Sequence, residues 1–218
     1  MDFDFATIIS NLPVFFRGAV ATLCVSLAAI TVGMVGGMLV CLVGISSHKI
    51  LKLGAKLYIS VFRGIPILVL LLIVYYILPE IGIETPPLIA AITGLALNTT
   101  AFQAEIYRGG FASIPHGQIE AARALGIGPL RLYRKILIPQ VMKKVMPSLI
   151  NEIIILLKNS SLISAIAVTE LMRVSQTLVA STYRPMEIYM TTAAFYLVMT
   201  MAIAAVGSAF SRKMAVAG

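Results

Sequence analysis

Charge is scarce in this chain. Only 12% of its 218 residues are Asp, Glu, Lys or Arg, against 59% hydrophobic, and the mean hydropathy is +0.97. Such a composition cannot supply the charged surface of an ordinary soluble domain, so the sequence is that of an integral membrane protein. Cysteine is scarcer still. Cys24 and Cys41 share one apolar run with no His or acidic residue beside them, which leaves neither a disulfide framework nor a metal site and makes small buried packing residues of both the expectation. His48 and His116 stand alone in loops, solvated rather than ligating. No G-x-x-x-x-G-K-[ST], H-E-x-x-H or C-x-x-C occurs, so neither nucleotide hydrolysis nor zinc chemistry is expected here. There is no internal repeat, low-complexity tract or soluble domain, and any catalytic domain is expected on another chain.

What is present is a series of apolar runs. Five transmembrane spans are expected, at about 18–45, 57–78, 87–104, 145–168 and 188–210, within a single all-α domain covering 1–218. The first is uncharged and exceeds the roughly 30 Å of a bilayer core at 1.5 Å per residue, so it crosses with tilt. Its Gly33 and Gly37 have the G-x-x-x-G spacing of a close helix contact. Ahead of it, Phe5, Ile8, Ile9, Leu12, Phe15 and Phe16 recur at helical spacing. They form either a surface amphipathic helix interrupted by Pro13 or a frayed lead-in to the span. Met1-Asp2-Phe3-Asp4 lacks the basic region of a cleavable signal.

The basic residues orient the spans. Lys49, Lys52 and Lys56 lie between the first two spans, with Arg63 just inside the second at the same end. Arg108, Arg123, Arg131, Arg134, Lys135, Lys143 and Lys144 lie between the third and fourth, and Arg212 and Lys213 in the tail. These are 13 of the 17 basic residues, whereas the Pro79 to Pro86 connection has Glu80 and Glu84 and no cation. The positive-inside rule puts the N-terminus outside, and the 105–144 loop and the C-terminus in the cytoplasm. That distribution also removes the case for a nucleic-acid partner, which the net charge of +8 would raise in a soluble chain.

The 105–144 loop carries the strongest motif, EAARALGIGPLRLYRKILIP at 120–139. Ala121 and Ala122 favour helix and permit close approach, Gly126 is suited to the positive φ that ends a helix, Pro129 suits the first turn of the next, and Pro139 is expected to mark a boundary. Glu120-Ala121-Ala122 followed by Gly126 and, further on, Ile136 and Pro139 resembles the EAA loop of the membrane subunits of bacterial ABC importers. Ala104-Glu105-Ile106-Tyr107-Arg108-Gly109, Gly117-Gln118, Asn151-Glu152, Lys158-Asn159-Ser160-Ser161-Leu162 and Arg63-Gly64-Ile65-Pro66 resemble further elements of the subgroup that imports polar amino acids. Ile65 in place of Thr and Ile138 in place of Leu are mild departures.

The resemblance implies a permease subunit with the type I importer fold. Glu120, Ala121, Ala122 and Gly126 would dock on a separate ATPase dimer holding ATP and Mg, with no cofactor on this chain. It also implies a second permease subunit, identical or related, and an extracytoplasmic amino-acid-binding protein. Methionine, an osmolyte or an opine is the alternative cargo, and an independent channel the alternative class.

Polar residues inside the expected spans are the candidate pathway. In the fourth span Ser148, Asn151, Glu152, Lys158 and Asn159 recur about every seven residues along a broad side of one helix, and Ser160 and Ser161 complete the candidate set. Charge at that depth is costly in lipid, so Glu152 and Lys158 are expected to face protein or water. Two roles are open for them: attraction of a zwitterion's ammonium and carboxylate, or pairing at a helix end or subunit interface. Asn98, Thr99, Thr100 and Gln103 form a second cluster, for which interhelical hydrogen bonding is the expectation.

Overall fold

The computed structural model describes residues 3–216. All regular structure among them is helical: α1 Phe5–Gly44, α2 Lys49–Gly64, α3 Ile67–Glu80, α4 Pro87–Ala112, α5 His116–Ala124, α6 Pro129–Ile166, α7 Leu171–Thr182 and α8 Pro185–Val216. By length and composition α1, α6 and α8 each suffice to cross a membrane, and α2 with α3 form a fourth, bent candidate. Helix α4, at 26 residues or about 39 Å, is long enough but carries its polar cluster, Asn98 to Gln103, about its middle.

The first helix is a single rod of 40 residues, about 60 Å. Asp4 caps it, its carboxylate accepting from the amides of Ala6 and Thr7 and the hydroxyl of Thr7 at 2.7 Å. Those bonds, that from the Thr7 hydroxyl first, hold the Asp4 carboxyl below the usual carboxylate range. Pro13 lies inside the helix without ending it. The surface helix interrupted at Pro13 is therefore replaced by a continuous extension of the first span.

The expected span 57–78 is not straight. Helices α2 and α3 meet at 104°. Ile65 precedes a proline and takes an extended conformation (φ −84°, ψ 130°), and Pro66 then caps α3. A residue before proline is pushed out of the helical region, so the chain turns there.

Prolines elsewhere are tolerated by a repeated device. A π-helical turn at Ile73–Ile77 precedes Leu78-Pro79, and another at Tyr133–Leu137 precedes Ile138-Pro139. In the second, the Ile138 amide returns to the Tyr133 carbonyl five residues back. The widened turn accommodates the ring and the missing donor of the proline that follows. Pro139 therefore lies within α6 and does not mark the boundary expected of it.

Helix α4 is the centre of the bundle. Ala90, Ala91, Leu95, Thr99, Ala101, Gln103 and Ala104 are buried along it, with α1, α2, α3 and α6 packed around. Gly33 and Gly37 of α1 set the approach: a Cβ on Gly37 would lie 2.7 Å from the Gln103 Cβ and 3.1 Å from both the Thr100 carbonyl and the Ala104 amide. The expected G-x-x-x-G contact is thus made with α4. One apolar cluster joins α1, α3, α4 and α6 through Ala29, Leu71, Leu95 and Ile163. A second, around Tyr107, Ala122, Leu132, Val141 and Val145, fastens α5 to the bundle. Elsewhere large apolar side chains face outward, among them Leu27, Val35, Leu39, Val198 and Val206, the surface of a protein whose solvent is lipid or another subunit.

No span was expected at 171–182, where α7 stands. Glu170 caps it, accepting from the Arg173 amide at 2.8 Å, and Tyr183 ends it in the left-handed region at φ 56°.

Candidate coupling loop and polar pathway

Two polar regions occupy different parts of the bundle. The first is the α5 loop. Helix α5 stops because Gly126 adopts φ +71°, which lets its amide donate to the Arg123 carbonyl at 2.9 Å and the Ile127 amide to that of Ala122 at 3.0 Å. This is a Schellman termination, and Ile127 packs against the apolar cluster to which Ala122 belongs. Pro129 then opens α6 in its first turn.

The four motif residues divide between two surfaces. Ala122 is buried against the bundle, while Glu120, Ala121 and Gly126 are exposed. Leu125 and Leu130 are exposed at 79% and 80%, with Arg123, Arg131, Arg134 and Lys135 around them. Two bare leucines on a basic, helix-terminated knob form a surface shaped for contact rather than for solvent.

The second region is the interface of α4 and α6. Glu152 is buried and accepts from the Thr99 hydroxyl at 3.1 Å. Thr99 in turn receives the Gln103 amide at 3.4 Å, and the Tyr107 hydroxyl points to the Gln103 carbonyl oxygen at 3.5 Å. A polar row therefore runs down α4 and ends on the Glu152 carboxylate. Beside it the Asn98 amide donates to the Phe62 carbonyl at 2.9 Å and the Tyr58 hydroxyl to that of Leu97 at 2.8 Å, tying α2 to α4.

The broad stripe expected on the fourth span is divided. Asn151 and Lys158, seven residues apart, share one exposed face, whereas Glu152, one helical step from Asn151, points inward. No ion pair between Glu152 and Lys158 is present among the described residues. Asn159 is half-buried, and the hydroxyls of Ser160 and Ser161 return to the carbonyls of Leu157 and Lys158 at 2.7 and 2.8 Å. These serines thus close the turn where α6 tightens into the 3₁₀ segment Ser160–Ile166.

Sequence reasoning passed over a third polar group. Glu170 is fully buried and accepts from the Thr22 hydroxyl at 3.1 Å and the Tyr196 hydroxyl at 3.0 Å as well as from the α7 terminus. It joins α1, α7 and α8. An acidic residue directly ahead of the apolar spacing Leu171, Val174, Leu178 was the available signal. Among the described residues no three His, Cys, Asp or Glu side chains cluster.

Comparison with known proteins places this geometry. Residues 29–216 match the family described as binding-protein-dependent transport system inner membrane component. The octopine transport system permease protein of Rhizobium radiobacter is 35% identical over 213 residues, covering 94% of this chain and 87% of that protein. The arginine transport system permease protein of Bacillus subtilis is 33% identical, covering 98% of each. A crystal structure of an amino acid ABC transporter with histidines has a chain that superposes with a TM-score of 0.90 at 38% identity, covering 98% of this chain and all of that one.

Proposed function

The chain belongs to the family of binding-protein-dependent transport system inner membrane components, and from that premise we propose that it is a permease subunit of an ATP-driven importer of polar amino acids. The observation that carries this reading is the near-complete superposition on a subunit of an amino acid ABC transporter. The arginine permease similarity over 98% of both chains points the same way. An opine is the second reading for the cargo, favoured by the octopine permease relative.

In this reading α1, the bent α2–α3 pair, α4, α6 and α8 are five spans, with the N-terminus outside and the α5 loop and C-terminus in the cytoplasm. Five spans enclose too little space for a passage, so two permease subunits, identical or related, pair about a central axis. Glu120, Ala121 and Gly126, with Leu125, present α5 to a separate ATPase subunit that holds ATP and Mg; Ala122 anchors the knob from behind. Closure of the ATPase pair moves α5 as a rigid body, and its attachment to Tyr107 and Val145 transmits that movement to α4 and α6. An extracytoplasmic binding protein delivers cargo to a passage bordered by Glu152, with Asn98, Asn151, Lys158, Asn159, Ser160 and Ser161 on neighbouring surfaces. Glu152 attracts the cargo's ammonium group.

Reconstitution with the ATPase and binding protein in proteoliposomes tests the proposal. Uptake of labelled arginine, histidine or glutamine should require internal ATP. Equal flux without ATP would sink it, and ATP-dependent uptake of octopine alone would select the second reading.

A further inference from the structure

Beside the α5 knob, a cavity of about 710 Å³ opens between α1, α2 and α4. Its walls include Val40, Cys41, Ala55 and Ile59, which are apolar or nearly so, and the side chains of Lys52 and Lys56, Glu105 and Arg108. Arg108 is already committed: its Nε and Nη2 donate to the two Glu105 oxygens at 2.8 and 2.7 Å. Lys52 and Lys56 are not engaged in any ion pair among the described residues. Their i,i+4 spacing sets two ammonium groups side by side on one face of α2, an unfavourable pairing that an anion between them would relieve.

A second hollow of about 600 Å³ adjoins this cavity and shares Ile45 and Tyr133 with it. Leu42, Pro129, Leu130 and Ile138 make it mainly apolar. A neighbouring face of α2 bears Ile50, Leu53 and Leu57, exposed at 86%, 68% and 63%. An amphipathic helix with bare apolar residues on one side lies at the boundary of the bilayer, so the cavity beneath it lies at the level of lipid headgroups.

We propose that the cavity binds one anionic phospholipid, its phosphate held by Lys52 and Lys56 and part of its hydrocarbon laid in the adjoining groove. A free anion would leave the groove unused, and a neutral lipid would leave the lysines unpaired. An amphiphile with a negative head satisfies both, and basic pockets between membrane helices are established sites for such headgroups. The bound lipid links α2 to the start of α6, next to the knob, and therefore stiffens it. The inference rests on membrane residence alone, independent of cargo and of coupling.

Native mass spectrometry and thermal unfolding of the full chain in detergent test it, with dioleoylphosphatidylglycerol, dioleoylphosphatidylcholine and inorganic phosphate as probes. Phosphatidylglycerol should be retained and should raise the melting temperature, and phosphatidylcholine should do neither. Lys52→Gln with Lys56→Gln should weaken phosphatidylglycerol binding about thirtyfold, from two lysine–headgroup attractions. Lys52→Arg with Lys56→Arg should preserve binding, as should Lys49→Gln with Lys143→Gln, which removes the same charge outside the cavity. Equal retention of the two lipids overturns the proposal, and this wild-type comparison decides it even where the double variant fails to fold. Protection by inorganic phosphate equal to that by phosphatidylglycerol would make the site one for free anions. Unchanged lipid binding in the glutamine variant, with weakened capture of the ATPase, would make it a protein contact.

Discussion

The Thr99 hydroxyl donates to Oε1 of Glu152 across 3.1 Å and joins α4 to α6 where both side chains are closed to solvent. A carboxylate in such a place is either held as a packing element or kept for a ligand, and the two roles respond differently to substitution. Glu152→Gln preserves volume and an oxygen that can accept from Thr99, while removing the charge. If the carboxylate attracts cargo, transport should fall by about tenfold, the scale of one charge-assisted hydrogen bond, with assembly unchanged. Thr99→Val removes the donor and should lower thermal stability by roughly 1–3 kcal/mol. Uptake by Glu152→Gln equal to that of the parent would remove this residue from the passage.

The close approach of α1 to α4 depends on Gly37. A methyl group there meets the Ala104 amide and Thr100 carbonyl at 3.1 Å, backbone atoms that cannot step aside. Gly37→Ala should therefore destabilise the bundle by about 1–3 kcal/mol despite alanine's better helix propensity. Gly54→Ala is the control, since nothing lies within 4 Å of its added carbon, and it should be neutral or stabilising by up to about 1 kcal/mol. Detergent-solubilised melting curves that show the same shift for both would contradict the packing argument.

Gly126 tests the knob without touching the spans. Its φ of +71° is costly for a β-carbon, so Gly126→Ala should loosen the turn by about 1–2 kcal/mol, whereas Gly126→Asn should be better tolerated. Glu120→Lys instead leaves the turn intact and reverses charge on the exposed surface. Both Gly126→Ala and Glu120→Lys should reduce ATP-driven uptake more than they reduce the protein's abundance in the membrane. Parental uptake in both, at matched abundance, would separate α5 from coupling.

Helical class, the α5 loop and the places of Gly126 and Pro129 were legible because each has a local cause: apolar length, a residue free to take positive φ, a ring suited to a first turn. Proline was harder. Pro66 separates α2 from α3 at a bend of 104°, while Pro13 and Pro139 sit inside helices. At Pro139 the difference lies in a π turn five residues long that no residue type announces. The polar stripe divides between two environments for a geometric reason: Asn151 and Glu152 are adjacent in sequence and therefore about 100° apart around the helix, so one is exposed and the other buried. Helix α7 ends on Tyr183 in the left-handed region, where a sequence reading looks for glycine or asparagine.

The proposed orientation rests on charge alone and is open to a direct test. The connection between α3 and α4 holds Glu84 and no cation, while His116 begins α5 among the basic residues. Gly82 is unsuitable for a labelled cysteine, because its φ of +85° would strain any side chain placed there. Glu84 is exposed and free of that constraint. The background requires replacement of Cys24, which faces outward from α1 and is not the buried packing residue expected, and of Cys41, which is buried. With both changed, Glu84→Cys should react with a membrane-impermeant maleimide in intact cells, and His116→Cys only after permeabilisation. The opposite pattern would invert the molecule, place α5 outside, and so deny it any cytoplasmic ATPase.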